Sequence, residues 1–338
     1  MLAGLIAGFA ALCMMGAAWA ADISGAGATF PYPLYAKWAA EYRAATGIGL
    51  NYQSIGSGGG IAQIRNKTVT FGASDMPLEQ DALDQSGLVQ FPTVVGGNVP
   101  VVNIPGIEAG QIVFDGVTLA DIFLGKIARW NDPRIQVLNP GLMLPNLAIV
   151  VVHRSDGSGT TFIWVDYLSK VSPEWAENVG AATSVDWPVG IGAKGNEGVA
   201  GNVAQFRGSI GYVEFAYAKQ NDLSHARLIN KRGETVEPSL ETFQAAAASA
   251  DWAEAPGFHV VLTDEDGANA WPIAGATFIL MHKEPSNPEQ SAQALKFFDW
   301  AYEEGDAMAT ELDYVPMPDD VVNLVRSRWA EQIQGSGF

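Results

Sequence analysis

Cys13 is the only cysteine among 338 residues, and it falls inside a start that carries no charge. Residues 1–20 hold an apolar core from Leu2 to Met15 and small residues around Ala18-Trp19-Ala20, so they read as a secretory signal cleaved after Ala20, although the usual basic start is missing. Cys13 lacks the small residue before it and the Leu three before it that a lipid anchor needs. The exported chain then has no thiol, which excludes disulfides, thiolate metal sites and cysteine nucleophiles. Histidine is scarce too: His153, His225, His259 and His282 are scattered without metal-ligand spacing and read as packed or solvated side chains. Bases are few, 19 against 37 acids for a net charge of −18. That deficit argues against nucleic acid and anionic lipid, whose binding depends on clustered Lys and Arg. There is no G-x-x-x-x-G-K-[ST], so nucleotide hydrolysis lies elsewhere, and Gly56 to Gly60 has the wrong spacing for a dinucleotide fingerprint. After residue 20, no stretch is long and apolar enough to span a bilayer.

The acidity does not exclude an anion as ligand. Surface charge is screened over about 8 Å at physiological salt, whereas oriented dipoles in a water-poor site act at hydrogen-bond range. Short apolar strands alternate with helical patterns, the α/β signature. Strands are expected at 148–152, 50–55, 70–74, 209–215 and 277–281, and helices at 32–45, 158–170, 239–252 and 288–304. The run 91–104 is almost uncharged and too long for an ordinary strand, as a crossing between two lobes would be. Tyr32, Tyr35, Trp38 and Tyr42 share a helical face and read as core. Trp187, Trp252 and Trp271 have no evident role.

The most telling segment is Arg154-Ser155-Asp156-Gly157-Ser158-Gly159-Thr160, directly after an apolar strand and before a helical pattern. Such a turn leaves backbone N–H groups unpaired at the positive end of a helix, an anion cradle with an arginine at its lip. Gly25-Ala26-Gly27-Ala28-Thr29-Phe30-Pro31 repeats the plan, with Thr29 placed to cap a helix while its amide and that of Phe30 point outward. So does Gly56-Ser57-Gly58-Gly59-Gly60. Gly72-Ala73-Ser74-Asp75 differs by putting a carboxylate at a strand end, which reads equally as a turn aspartate or as an acceptor for a ligand.

The segments G-A-G-A-T-F-P, I-G-S-G-G-G, F-G-A-S-D, F-P-T-V-V-G-G, V-N-I-P-G, L-G-K-I, L-N-P-G, R-S-D-G-S-G-T, W-P-V-G and G-Y-V-E-F-A-Y-A-K-Q stand here in one order. In these the chain resembles the periplasmic phosphate-binding proteins of phosphate-specific ABC transporters, over nearly all of its length past residue 20. The resemblance implies an α/β two-lobe periplasmic binding protein with two interlobe crossings, one lobe of 22–102 plus 271–338 and the other of 103–270, closing over one phosphate. It implies the ligand groups: the hydroxyl and amide of Thr29, the amide of Phe30, the hydroxyl and amide of Ser57, the Asp75 carboxylate, the Arg154 guanidinium, the Ser158 hydroxyl, and the Gly159 and Thr160 amides with the Thr160 hydroxyl. Asp156 is implied as the partner that holds Arg154. Two positions depart from the family's pattern, Gly58 where a second serine is common and His153 where a second base is. The resemblance further implies an ABC permease as partner; a monomer is expected, arsenate follows as an analogue because it carries the same protons, and with no metal cluster or paired base evident in the sequence, no cofactor, metal or catalysis is expected. An exported phosphatase is the competing reading, and a sulfate receptor the nearest rival among transport proteins. Asp75 separates phosphate from sulfate, because only phosphate brings a proton for a carboxylate to accept.

Overall fold

The computed structural model describes residues 23–338; the expected signal and Cys13 lie outside the described residues. Within them no helix is long and apolar enough to cross a membrane. The strands of the first half are β1 (Ile23–Gly27), β2 (Leu50–Ser54), β3 (Phe71–Ser74), β4 (Leu88–Val102) and β5 (Val113–Phe114). Then come β6 (Val150–Arg154), β7 (Ile191–Ala193), β8 (Ser209–Glu214) and β9 (Ser224–His225). The last are β10 (Arg227–Ile229), β11 (Thr235–Val236), β12 (Ala274–His282) and β13 (Val315–Pro316).

The main sheet runs β2-β1-β3-β12-β4-β8-β6-β7, while β11-β10-β5 form a small sheet of their own. Two parallel blocks stand out, β2-β1-β3 and β8-β6-β7. They are joined through the antiparallel strands β12 and β4. The run expected to be too long for one strand is a single strand. Leu88 to Gly97 of β4 pairs with β12, and Asn98 to Val102 pairs with β8, so one strand passes from one block to the other. All fifteen residues of β4 are buried, which explains an apolar run without alternation.

The helices cover the sheet as their patterns require. Tyr35, Trp38 and Tyr42 of the helix Tyr32–Thr46 are buried, with Tyr42 edge-on to Phe297 at 5.2 Å; Tyr32, on the same spacing, remains 41% exposed. The helix expected at 239–252 is Leu240–Ala247 only. Ser249 Oγ donates to the Ala246 carbonyl, competing with a further turn, and Trp252 folds into the core. The strand expected at 148–152 begins two residues later, because Ala148 instead bridges Arg129. Trp271 donates its indole N–H to Asn98 O at 3.0 Å where β4 changes partner.

Candidate anion-binding site

In both parallel blocks the strands deliver their polar residues at their carboxyl ends, where ligands of open α/β sheets bind. β1 ends at Gly27, whose φ of +147° and close approach to β3 leave no room for a side chain: a Cβ there would lie 2.0 Å from Ala73 O. Thr29 and Phe30 follow. Thr29 is not the helix cap that its position suggested; the cap residue is Pro31, without a side-chain bond. With Pro31 and Pro33 in the first turn, fewer N–H groups need capping, and Thr29 Oγ1 instead accepts from Asn196, 3.2 Å from its backbone N and 2.7 Å from Nδ2.

β2 leads to Gly56 at φ +86°, whose turn puts Ser57 at the start of the helix Ser57–Arg65. Ser57 Oγ accepts from the amides of Asp75 (3.1 Å) and Gly159 (3.0 Å). β6 ends at Arg154, its side chain 1% exposed, where Nε and Nη2 grip Asp156 at 2.7 and 2.5 Å. The remaining nitrogen, Nη1, lies 3.4 Å from Thr160 Oγ1. Ser158 caps the helix Gly159–Val171, its Oγ accepting from Thr161 N at 3.0 Å. The two blocks meet tightly here: Gly58 N donates to Gly157 O at 2.9 Å, and Tyr217 OH donates to Thr29 O at 2.6 Å.

Asp75 is an acid aimed among these donors without a cation in its grip. It is 2% exposed; Oδ1 accepts from Thr277 Oγ1 at 2.8 Å, and Oδ2 is buried with no partner. Burial pushes its carboxyl up to about 7, against the lowering influence of the Thr277 hydrogen bond and the Arg154 charge. Asp156 behaves oppositely: burial works to raise it, but the Arg154 hydrogen bonds and charge, together with backbone amides including that of Gly195, hold it below the usual carboxylate range. Such a set, hydroxyls and amides with a fixed cation and the unpartnered Asp75 Oδ2, is suited to a tetrahedral oxyanion that carries a proton.

Every residue named from the sequence falls in this one network, Phe30 through its carbonyl, which accepts from Tyr314 OH at 2.7 Å. Tyr314 OH is also 2.7 Å from Glu214 Oε2. The hydroxyl proton is shared between these two acceptors, and Glu214 Oε2 also accepts from Ala216 N at 2.9 Å; full burial raises the Glu214 carboxyl well above the ordinary value. His153 turns away to stack on Trp187 at 4.7 Å, so it activates no serine. Five participants carry no role in the sequence reading: Asn196, Thr277, Glu214, Tyr217 and Tyr314. Asn196 had a readable signal, since Ala193-Lys194-Gly195-Asn196 is again a strand end, a glycine and a polar residue opening a helix. Thr277 hides inside an apolar strand, beside the point where the pairing of β12 with β4 slips by one residue. A bulge of that kind re-aims side chains next to a site.

A profile of the PBP superfamily domain matches residues 16–304. The chain is 57% identical over 317 residues to the phosphate-binding protein PstS of Pasteurella multocida, covering 94% of this chain and 92% of that one. It is 56% identical over 317 residues to the phosphate-binding protein PstS of Haemophilus influenzae, covering 94% and 95%. Among solved structures, the high-affinity periplasmic phosphate-binding protein PfluDING, bound with phosphate, superposes with a TM-score of 0.76 at 24% identity, covering 94% and 97%. A phosphate-binding protein from Stenotrophomonas maltophilia gives 0.67 at 21%, covering 92% and 94%. These two likenesses speak to the fold alone.

Proposed function

The chain belongs to the PBP superfamily and, within it, to the PstS phosphate-binding proteins, and we propose on that footing how it works. It is a periplasmic phosphate-binding receptor of the phosphate-specific ABC transport system. It captures one inorganic phosphate between two lobes and presents it to the membrane permease. The lobes are 22–102 with 271–338, and 103–270; the change of partner along β4 between Gly97 and Asn98 supports a crossing on this strand, although Asn98 to Val102 pair with β8 of the second lobe, ahead of the bound at 102. Cleavage after Ala20 releases it as a monomer.

Phosphate is held by Thr29, Phe30, Ser57, Arg154, Ser158, Gly159 and Thr160 as donors, with Asp156 fixing the Arg154 fork. Asp75 is the acceptor. The observation that carries this reading is its oxygen Oδ2, buried and without a partner beside the donors of both parallel blocks. A phosphate O–H satisfies that oxygen, whereas sulfate has no proton and meets it as an unpaired negative charge. Arsenate carries the same protons and is accepted. A phosphoryl-transfer enzyme would need a metal or a nucleophile with an adjacent base; Ser57 Oγ accepts from two amides, and His153 stacks on Trp187.

Titration calorimetry of the phosphate-stripped protein at neutral pH tests the reading. Tight one-to-one binding of phosphate and arsenate, with sulfate silent, is expected. Equal binding of sulfate would refute the role of Asp75, and turnover of a chromogenic phosphate ester would refute the receptor.

A further inference from the structure

We propose that Asn196 is a positioning residue that makes two threonine hydroxyls of the site donor-only, by filling, together with Arg154, their lone pairs so that both protons must go to the ligand; this rests on the phosphate reading above. Asn196 is fully buried at the start of the helix Gly195–Gln205. Which end of its amide faces where is fixed by the backbone: Oδ1 accepts from Glu214 N at 2.9 Å, a group that can only donate. Nδ2 therefore carries both of its hydrogens into the site, one to Thr29 Oγ1 at 2.7 Å and one to Thr160 Oγ1 at 3.1 Å.

Counting lone pairs completes the inference. A hydroxyl accepts two hydrogen bonds and donates one. Thr29 Oγ1 accepts from Nδ2 and from the backbone N of Asn196. Thr160 Oγ1 accepts from Nδ2 of Asn196 and from Nη1 of Arg154. Neither oxygen has an acceptor site left, so each hydroxyl can meet a ligand only with its proton. A hydroxyl free to rotate could equally accept from a protonated or neutral ligand; these two cannot. Ser57 Oγ is filled in the same way by the amides of Asp75 and Gly159, so three of the four hydroxyls leave acceptance of the ligand's proton to Asp75, while Ser158 Oγ, which accepts from Thr161 N, keeps one lone pair. Asn196 needs no contact with phosphate to do this.

The test is a thermodynamic cycle between Asn196→Leu and Thr160→Val, read by phosphate titration calorimetry with thermal melts to confirm folding. Each single variant should weaken phosphate binding about 10- to 100-fold, the worth of a hydrogen bond to a charged group. The double variant should be little worse than Thr160→Val with Thr29 intact contributing the remainder, because Asn196 acts through the hydroxyls. Effects that multiply in full would mark a merely structural asparagine and overturn the proposal, as would undiminished binding by the leucine variant. If the unaltered chain binds no phosphate, the phosphate reading fails instead. Should the leucine variant not fold, Asn196→Asp keeps the shape and the Glu214 contact but turns the donor end into an acceptor. Its loss of affinity relative to the unaltered chain should shrink as pH falls and the new carboxyl regains a proton to donate; a pH-independent ratio would overturn the proposal.

Discussion

Replacing Asp75 by Asn should convert a phosphate receptor into one that also takes sulfate. The Thr277 hydroxyl, 2.8 Å from Oδ1, holds the amide oxygen of the variant, so the new NH₂ group lands where Oδ2 was buried without a partner. The site then loses its acceptor for the phosphate proton and gains a donor for sulfate. A site built around one specific hydrogen bond rejects an analogue that lacks it by roughly 10⁴–10⁵. The substitution should weaken phosphate about 10- to 100-fold and strengthen sulfate by a similar factor, hydrogen bonds to charged groups being worth about 1.5–3 kcal/mol. The phosphate-to-sulfate ratio then falls by about 10²–10⁴. Competition calorimetry of both anions on both proteins measures it directly. The same logic gives a pH dependence for the unaltered chain: with its carboxyl raised to about 7, Asp75 is increasingly protonated below neutrality and becomes a donor. Sulfate binding should therefore strengthen from pH 8 to pH 5.5 in the unaltered chain and stay flat in the Asn variant. An unchanged ratio in the variant, or sulfate binding indifferent to pH in both, would refute the reasoning.

Two further outcomes follow from particular contacts. In Gly159→Ala the added Cβ would lie 2.5 Å from Ser57 Oγ and 2.7 Å from Asp75 N, a backbone atom that cannot step aside. Small-angle scattering should then show no contraction on adding phosphate; closure equal to that of the unaltered chain would contradict the interlobe contact. Glu214 is raised well above its ordinary value by burial, so between the unfolded and folded values the folded chain binds the extra proton and stability falls as pH rises. Asp75 contributes with the same sign, and Asp156, lowered, with the opposite one. Glu214→Gln should accordingly flatten part of the decline in melting temperature from pH 5 to pH 8, and an identical slope would show that Glu214 is not protonated in the fold.

What the sequence made legible was the chemistry carried by local pattern. The turns at Thr29, Ser57, Asp75 and Arg154 are each a strand end followed by glycine or a helix start, and backbone geometry of that kind is written in consecutive residues. The helix Pro288–Glu304 fell where its apolar face put it. Contacts between distant segments were not legible. Thr277 looks like any β-branched strand residue until the slipped pairing with β4 turns it to Asp75, 202 positions away. Asn196 meets Thr29 across 167 positions, and that partner is why Thr29 caps no helix. The strand β4 exceeds an ordinary strand for a related reason: it is shared by two blocks, and all fifteen of its residues are buried.

The most direct test of the central claim is a crystal structure of the phosphate complex at a resolution that fixes its oxygens. One phosphate oxygen should lie about 2.5–2.7 Å from Asp75 Oδ2, the length of a charge-assisted O–H···O bond, with Oδ1 still on Thr277. A phosphate bound with Asp75 Oδ2 touching none of its oxygens would contradict it.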